Sequence, residues 1–226
     1  LGNSFGTSNL VWASIIGLIL IYLTAGYFIG GSWADRSPHS RTMYMILAWG
    51  GFSSALVPFI ARPVLQTAAQ AFDQLQVGVR LGSFSAVLVL FIIPITLLGM
   101  ISPFAIRLAM ADSRHAGKIS GRIYAISTLG SFLGTFLPVL LVIPLVGTTY
   151  TFILFGGFLT IVAFAGMWLS SGLMQALKVG WMPVLLLLLA VLWVKGPIKT
   201  TQGQIFERES AYNYIEVIAR DGFRYL

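Results

Sequence analysis

Apolar residues fall in long blocks along this chain, at about 10–30, 42–60, 81–106, 121–146, 150–169 and 181–194, with short polar connections between them. A bilayer core near 30 Å takes about 20 helical residues, so these blocks read as membrane-spanning helices, the last one short and dense in leucine. The stretch 121–147 is expected to sit at the centre. No acid or base other than tyrosine lies between Arg122 and Lys178. Gly130 and Gly134 make a small-xxx-small pair flanked by Ser127 and Thr135, and such pairs let helix backbones approach where lipid supplies no hydrophobic drive. Pro138 and Pro144 bend its far half, and a bend needs neighbours to satisfy the freed carbonyls. Gly26 and Gly30 form a second small-residue face on the first span.

Between 61 and 80 the hydropathy drops while apolar residues keep to helical spacing. This segment reads either as an amphipathic helix at the membrane interface or as a plain helical connection. Pro94 and the segment Gly99–Pro103 are expected to interrupt the third span, and Gly147 with two threonines to make a tight turn. After Lys195 the character changes. Residues 196–205 read as a linker and 206–226 as the start of a soluble domain, β-prone, with Asp221-Gly222 as a hairpin turn signal. The expectation is an all-α polytopic membrane protein: a transmembrane domain over 1–195 with about six spans and one amphipathic helix, then a short C-terminal β-hairpin. Because the second strand stops at Leu226, more soluble chain is expected beyond it. Leu1 follows no basic n-region, so no signal peptide is read.

Composition sharpens the class. The chain is 57% hydrophobic and only 9% charged, against about a quarter charged in soluble domains. Its net charge of +7 is spread over short connections, the pattern of lipid-headgroup and topology charge, and nucleic acid is not an expected partner. The lipid bilayer is. Absence of cysteine excludes disulfides, thiol redox chemistry and Cys-based metal sites. His39 and His115 lie far apart in polar connections, so neither a metal nor another cofactor is expected in this chain. Arg36, Arg41, Arg107, Arg114, Lys118, Arg122 and Lys178 lie on one set of connections, while the opposite set carries Arg62 and Arg80. The positive-inside rule then puts the first set in the cytoplasm and both visible ends outside it. Asp35, Asp73, Asp112 and every Lys and Arg are expected at or near span ends, Arg107 being the nearest to an exception. Ion-coupled transport, which uses ionisable groups inside the membrane, is therefore disfavoured.

Two motifs carry resemblances. Gly31-Ser-Trp-Ala-Asp35-Arg36, with Arg41 after it, resembles the GxxxDRxGR loop of major facilitator transporters, although Ser-Pro replaces Gly-Arg. The resemblance implies a cytoplasmic loop lock made by Gly31, Asp35 and Arg36; a short charged turn obeying positive-inside is the other reading. Glu209-Ser-Ala-Tyr212-Asn213-Tyr-Ile-Glu-Val217 resembles the N-terminal hairpin of polyamine aminopropyltransferases, the spermidine synthase family. Upstream, FGTSNLVWAS, GYFIGGSWADR, GMISPFAIRLA and GRIYAISTLGSFLGTFLPVLLVIPLVGT resemble the membrane half of bacterial membrane-fused spermidine-synthase-like proteins. That family implies a bacterial inner-membrane protein with one more N-terminal helix. It also implies decarboxylated S-adenosylmethionine and polyamine as ligands of a further soluble domain, with Tyr212 and Asn213 as contacts to the nucleoside substrate. The glycine-rich loop and catalytic acids of the family are absent from this chain, so no catalytic residue is assigned. Three roles stay open: membrane domain of a spermidine-synthase-like transferase, non-catalytic accessory or scaffold subunit of a larger membrane complex, and transporter-like bundle.

Overall fold

The structure is a computed structural model and describes residues 9–74, 78–110, 116–192, 204–209, 214–220 and 223–225. Its helices are α1 (Asn9–Arg36), α2 (Ser40–Gln74), α3 (Gly78–Gly99), α4 (Ile101–Ala109), α5 (Ala116–Leu137), α6 (Ile143–Ser171) and α7 (Leu173–Leu192), with a π-turn (Pro138–Val142) between α5 and α6. Among the described residues five stretches are long and apolar enough to cross a membrane, the fourth of them 56 residues from Ala116 to Ser171. The helical, membrane-type architecture agrees with the hydropathy pattern.

Helix ends follow local chemistry rather than hydropathy. Nothing in 31–36 breaks a helix, so α1 runs through the Gly31–Arg36 motif expected to be a loop. The chain stops at Ser37-Pro38, since a residue before proline is driven out of the α region. His39 then opens α2, its carbonyl accepting from the Thr42 amide at 3.0 Å and the Met43 amide at 3.3 Å. α2 continues through Pro58 and Pro63 to Gln74, so 61–74 is an extension of the second span; 75–77 lie outside the described residues. Pro94 sits inside α3 without ending it. The interruption comes at Gly99 and Met100, and α4 restarts there.

Two glycines turn the chain where an L side chain is strained. Gly147 has φ 81 and ψ 168 and breaks the long α6 near its start. Gly172, at φ 86 and ψ 161, closes α6 with its amide on the Trp168 carbonyl at 3.0 Å. Its own carbonyl accepts from Gln175 and Ala176, so it starts α7 as well. The segment 170–180, expected as a link, is therefore almost entirely helical. At the π-turn the Ile143 amide reaches the Pro138 carbonyl, a shift of one residue beside Pro144, which has no amide to offer.

Packing makes α2 the centre of the bundle. One core joins α2, α6 and α7 through Ala48, Phe52, Ala55, Ala163, Met167, Ala176, Val179, Met182 and Leu186. A second joins α1, α2 and α4 through Ala34, Ile46, Met100 and Phe104. α1 runs alongside α3 and α4 in the same direction: Tyr22 donates to the Leu88 carbonyl at 3.1 Å, and Trp33 meets Phe104 edge-on at 6.3 Å. The expectation that 121–147 is central does not hold within the chain. α5 contains no buried residue and chiefly meets the short α4 before it and the π-turn after it. Small residues permit close helix contact but do not compel it, and a helix apolar all round is equally content against lipid.

After α7 come three strands, β1 (Gln204–Glu209), β2 (Tyr214–Arg220) and β3 (Phe223–Tyr225), in one antiparallel sheet of order β1-β2-β3. β1 lies against α6. The expected turn Asp221-Gly222 lies outside the described residues, between Arg220 and Phe223, which pair across β2 and β3.

Candidate functional site

One polar end of the bundle holds most of the basic residues of its described helices. The C-terminus of α1, the N-terminus of α2, the end of α4, the start of α5 and the α6–α7 junction bring Arg36, Arg41, Arg107, Lys118, Arg122 and Lys178 to one end, with Asp35 as the acid among them. Asp35 accepts from Arg107 Nε at 3.1 Å, linking α1 to α4. The pair is open to solvent, its side chains 43% exposed on Arg107 and 74% on Asp35. The lock expected from Gly31, Asp35 and Arg36 thus has a different cation: Arg107 holds Asp35, and Arg36 is exposed. Gly31 touches α4 lightly, a Cβ there meeting Pro103 at 4.0 Å. The sequence marks Arg107 as unusual by its nearness to a span, but nothing in it signals a partner on another helix.

At the same end a cleft of about 790 Å³ opens between the α1–α2 corner and the end of α6. Its polar wall includes His39, Ser40, Arg41 and Thr42, faced by Ser170 and Ser171, and Trp33, Met45 and Ile46 supply its apolar wall. Ser37 organises the corner: its hydroxyl lies 3.2 Å from His39 Nδ1 and 3.3 Å from Thr42 Oγ1. Ser170 and Ser171 are 3.3 Å apart through their hydroxyls. Among the described residues its lining includes hydroxyl-bearing residues, a histidine and an arginine, and no carboxylate. It can bind an anion. Among the described residues no three His, Asp or Glu come together as metal ligands.

The small-residue positions divide sharply. A Cβ on Gly26 would collide with the Thr96 carbonyl and stand 3.0 Å from Gly99 Cα, and one on Gly30 would meet Met100 Cα at 2.6 Å. These glycines let α1 press on the α3–α4 joint. Gly130 and Gly134 have nothing within 4 Å, so within the chain they pack on no helix. Sequence reasoning passed over Gly51 and Gly156, where α2 and α6 meet. A Cβ on Gly156 would lie 2.5 Å from the Gly51 carbonyl and 2.6 Å from Ala55 Cβ. The signal was there, since Gly51 and Ala55 are themselves a small-xxx-small pair. Tyr212 and Asn213 lie outside the described residues. No protein-family model, curated protein or solved structure matches this chain.

Proposed function

We propose that this chain is the membrane domain of a spermidine-synthase-like transferase of the bacterial inner membrane, non-catalytic by itself. The observation that carries the reading is the ladder after the last helix. Glu209 pairs with Tyr214, Arg208 with Ile215 and Phe206 with Val217. The residues Ser210–Asn213 thereby join two antiparallel strands, where the family hairpin has its substrate-facing residues. In this reading the bundle anchors a soluble domain that supplies the decarboxylated S-adenosylmethionine and polyamine sites, with Tyr212 and Asn213 as contacts to the nucleoside substrate.

The bundle makes six passes in this reading. A straight helix over Ala116–Ser171 would reach about 84 Å at 1.5 Å per residue, far beyond a core of about 30 Å. Breaking it at Gly147 gives two shorter segments, each long enough for one pass. The basic end faces the cytoplasm, and the sheet follows α7 on the opposite side.

The accessory or scaffold reading has its own support in α5, whose apolar surface has no buried residue and is free to meet other membrane subunits. A transporter-like bundle has less. The buried polar side chains among the described residues are Thr151 and Thr160, and both bond back to their own helix, at 2.7 Å and 2.8 Å.

Intact mass and an assay decide between the first two. A natively expressed protein well above 24.6 kDa that makes spermidine from putrescine and decarboxylated S-adenosylmethionine supports the transferase reading. A mass near that value in a complex of other membrane subunits supports the scaffold. The 226-residue chain alone is expected to give no spermidine above the no-enzyme control, because positioned acid–base groups are what the chemistry needs. Turnover by that chain overturns the reading.

A further inference from the structure

We propose that the cleft at the α1–α2 corner is a binding site for the phosphate of an anionic phospholipid. Three independent features meet there. The first is its chemistry. The Thr42 and Met43 amides at the start of α2 are taken up by the His39 carbonyl, so recognition falls to the side chains of the cleft. Arg41 lines the cleft together with the hydroxyl-bearing residues Ser40, Thr42, Ser170 and Ser171, a cationic residue among neutral polar ones. Ser37 engages His39 at Nδ1, which leaves Nε2 for a ligand.

The second is its two-sided wall. Trp33, Met45 and Ile46 line the same cleft, and Ile46 continues into the buried core with Met100 and Phe104. Such a wall suits a ligand with a polar head and an apolar body, where a free phosphate would use only the polar half. Trp33 is 43% exposed, as expected of an indole at the headgroup level. The third is its position and charge. The cleft opens where three spanning stretches end, at Arg36, Ser40 and Ser171, on the basic end of the molecule. Anionic headgroups of the cytoplasmic leaflet concentrate against such an end. Asp35, the nearby acid, is engaged by Arg107 and so does not oppose an anion in the cleft.

The proposal is tested by native mass spectrometry of the full chain released from detergent with added phosphatidylglycerol, phosphatidylcholine or inorganic phosphate. Phosphatidylglycerol is expected to remain bound as one retained molecule, phosphatidylcholine to be stripped first, and millimolar inorganic phosphate to leave the lipid in place. Arg41→Gln should weaken retention by roughly tenfold or more, as loss of a charged hydrogen-bond partner does. Ser171→Phe, which fills the cleft without changing charge, should also abolish it. Lys178→Gln, at the same end but outside the cleft, should bind like the parent. Arg41 is exposed, so its variant is expected to melt with the parent. Equal retention of both lipids, equal losses in the Arg41 and Lys178 variants, full retention in Ser171→Phe, or displacement by inorganic phosphate would each overturn the proposal.

Discussion

Gly156 and Gly130 show how differently two glycines of similar sequence context behave. At Gly156 the backbone of α2 occupies the space a side chain would need, so Gly156→Leu must push α2 and α6 apart. Overpacking of this kind costs about 1–3 kcal/mol, and detergent melting should fall accordingly. Gly130→Leu meets nothing within 4 Å and should melt with the parent. A matched loss in both would return α5 to a packed interface. The Asp35–Arg107 pair is the other position where a partner was needed to read a residue. Being exposed, it should contribute little, and a double-mutant cycle on Asp35→Asn and Arg107→Gln is expected to give a coupling below about 1 kcal/mol. Raising salt should shrink it further. Neither the Gly51–Gly156 contact nor the pairing of Asp35 with Arg107 can be read from spacing along one helix, because both are set by which helices become neighbours.

Along single helices the agreement is better, and its failures have local causes. The apolar blocks correspond to helices, since length and hydropathy alone decide what can cross a bilayer. Their ends do not correspond, because polar residues are no obstacle to a helix. The motif Gly31–Arg36 and the segment 173–180 are helical despite their polarity. Gly147, expected as a turn, does break α6, whereas the one-residue joint at Gly172 was missed inside a longer polar link. Both glycines hold a positive φ with ψ near 165, a region essentially closed to other residues, so Gly172→Ala should cost of order 1–3 kcal/mol. Gly117→Ala, in helical backbone with open space around it, is the fitting control. It should stabilise slightly, as helix propensity requires. Melting of the two variants in one detergent reads both effects, and equal melting would remove the strained joint.

At the scale of the whole molecule 121–147 lies away from the centre, with no buried residue in α5. Absence of charge says that a helix is comfortable in lipid, not that it lies in the middle. The middle belongs to α2, which carries Ala48 and Ala55 with no exposed surface at all and so allows neighbours on two sides. Around it named contacts mark how α1 runs beside α3 and α4, α2 beside α6, and α6 beside α7. Tyr22 meets Leu88 and Trp33 meets Phe104 along α1, Gly51 meets Gly156 across α2 and α6, and Phe164 faces Gly180 across α6 and α7. Those directions bring Arg36, Arg41, Arg107 and Lys178 to one end, with Arg62 and Arg80 at the other; the proposed six passes would leave the sheet on the side of Arg62 and Arg80.

The absence of cysteine allows a clean test of that arrangement by single-cysteine labelling in intact cells with a membrane-impermeant reagent. Val146→Cys, beside the Gly147 break, and Thr201→Cys, before the sheet, should label from outside. Ser37→Cys and Ser171→Cys, at the basic end, should label only after the membrane is opened. Protection of both Val146→Cys and Thr201→Cys, or labelling of Ser37→Cys in sealed cells, would contradict the six-pass bundle with its basic end in the cytoplasm.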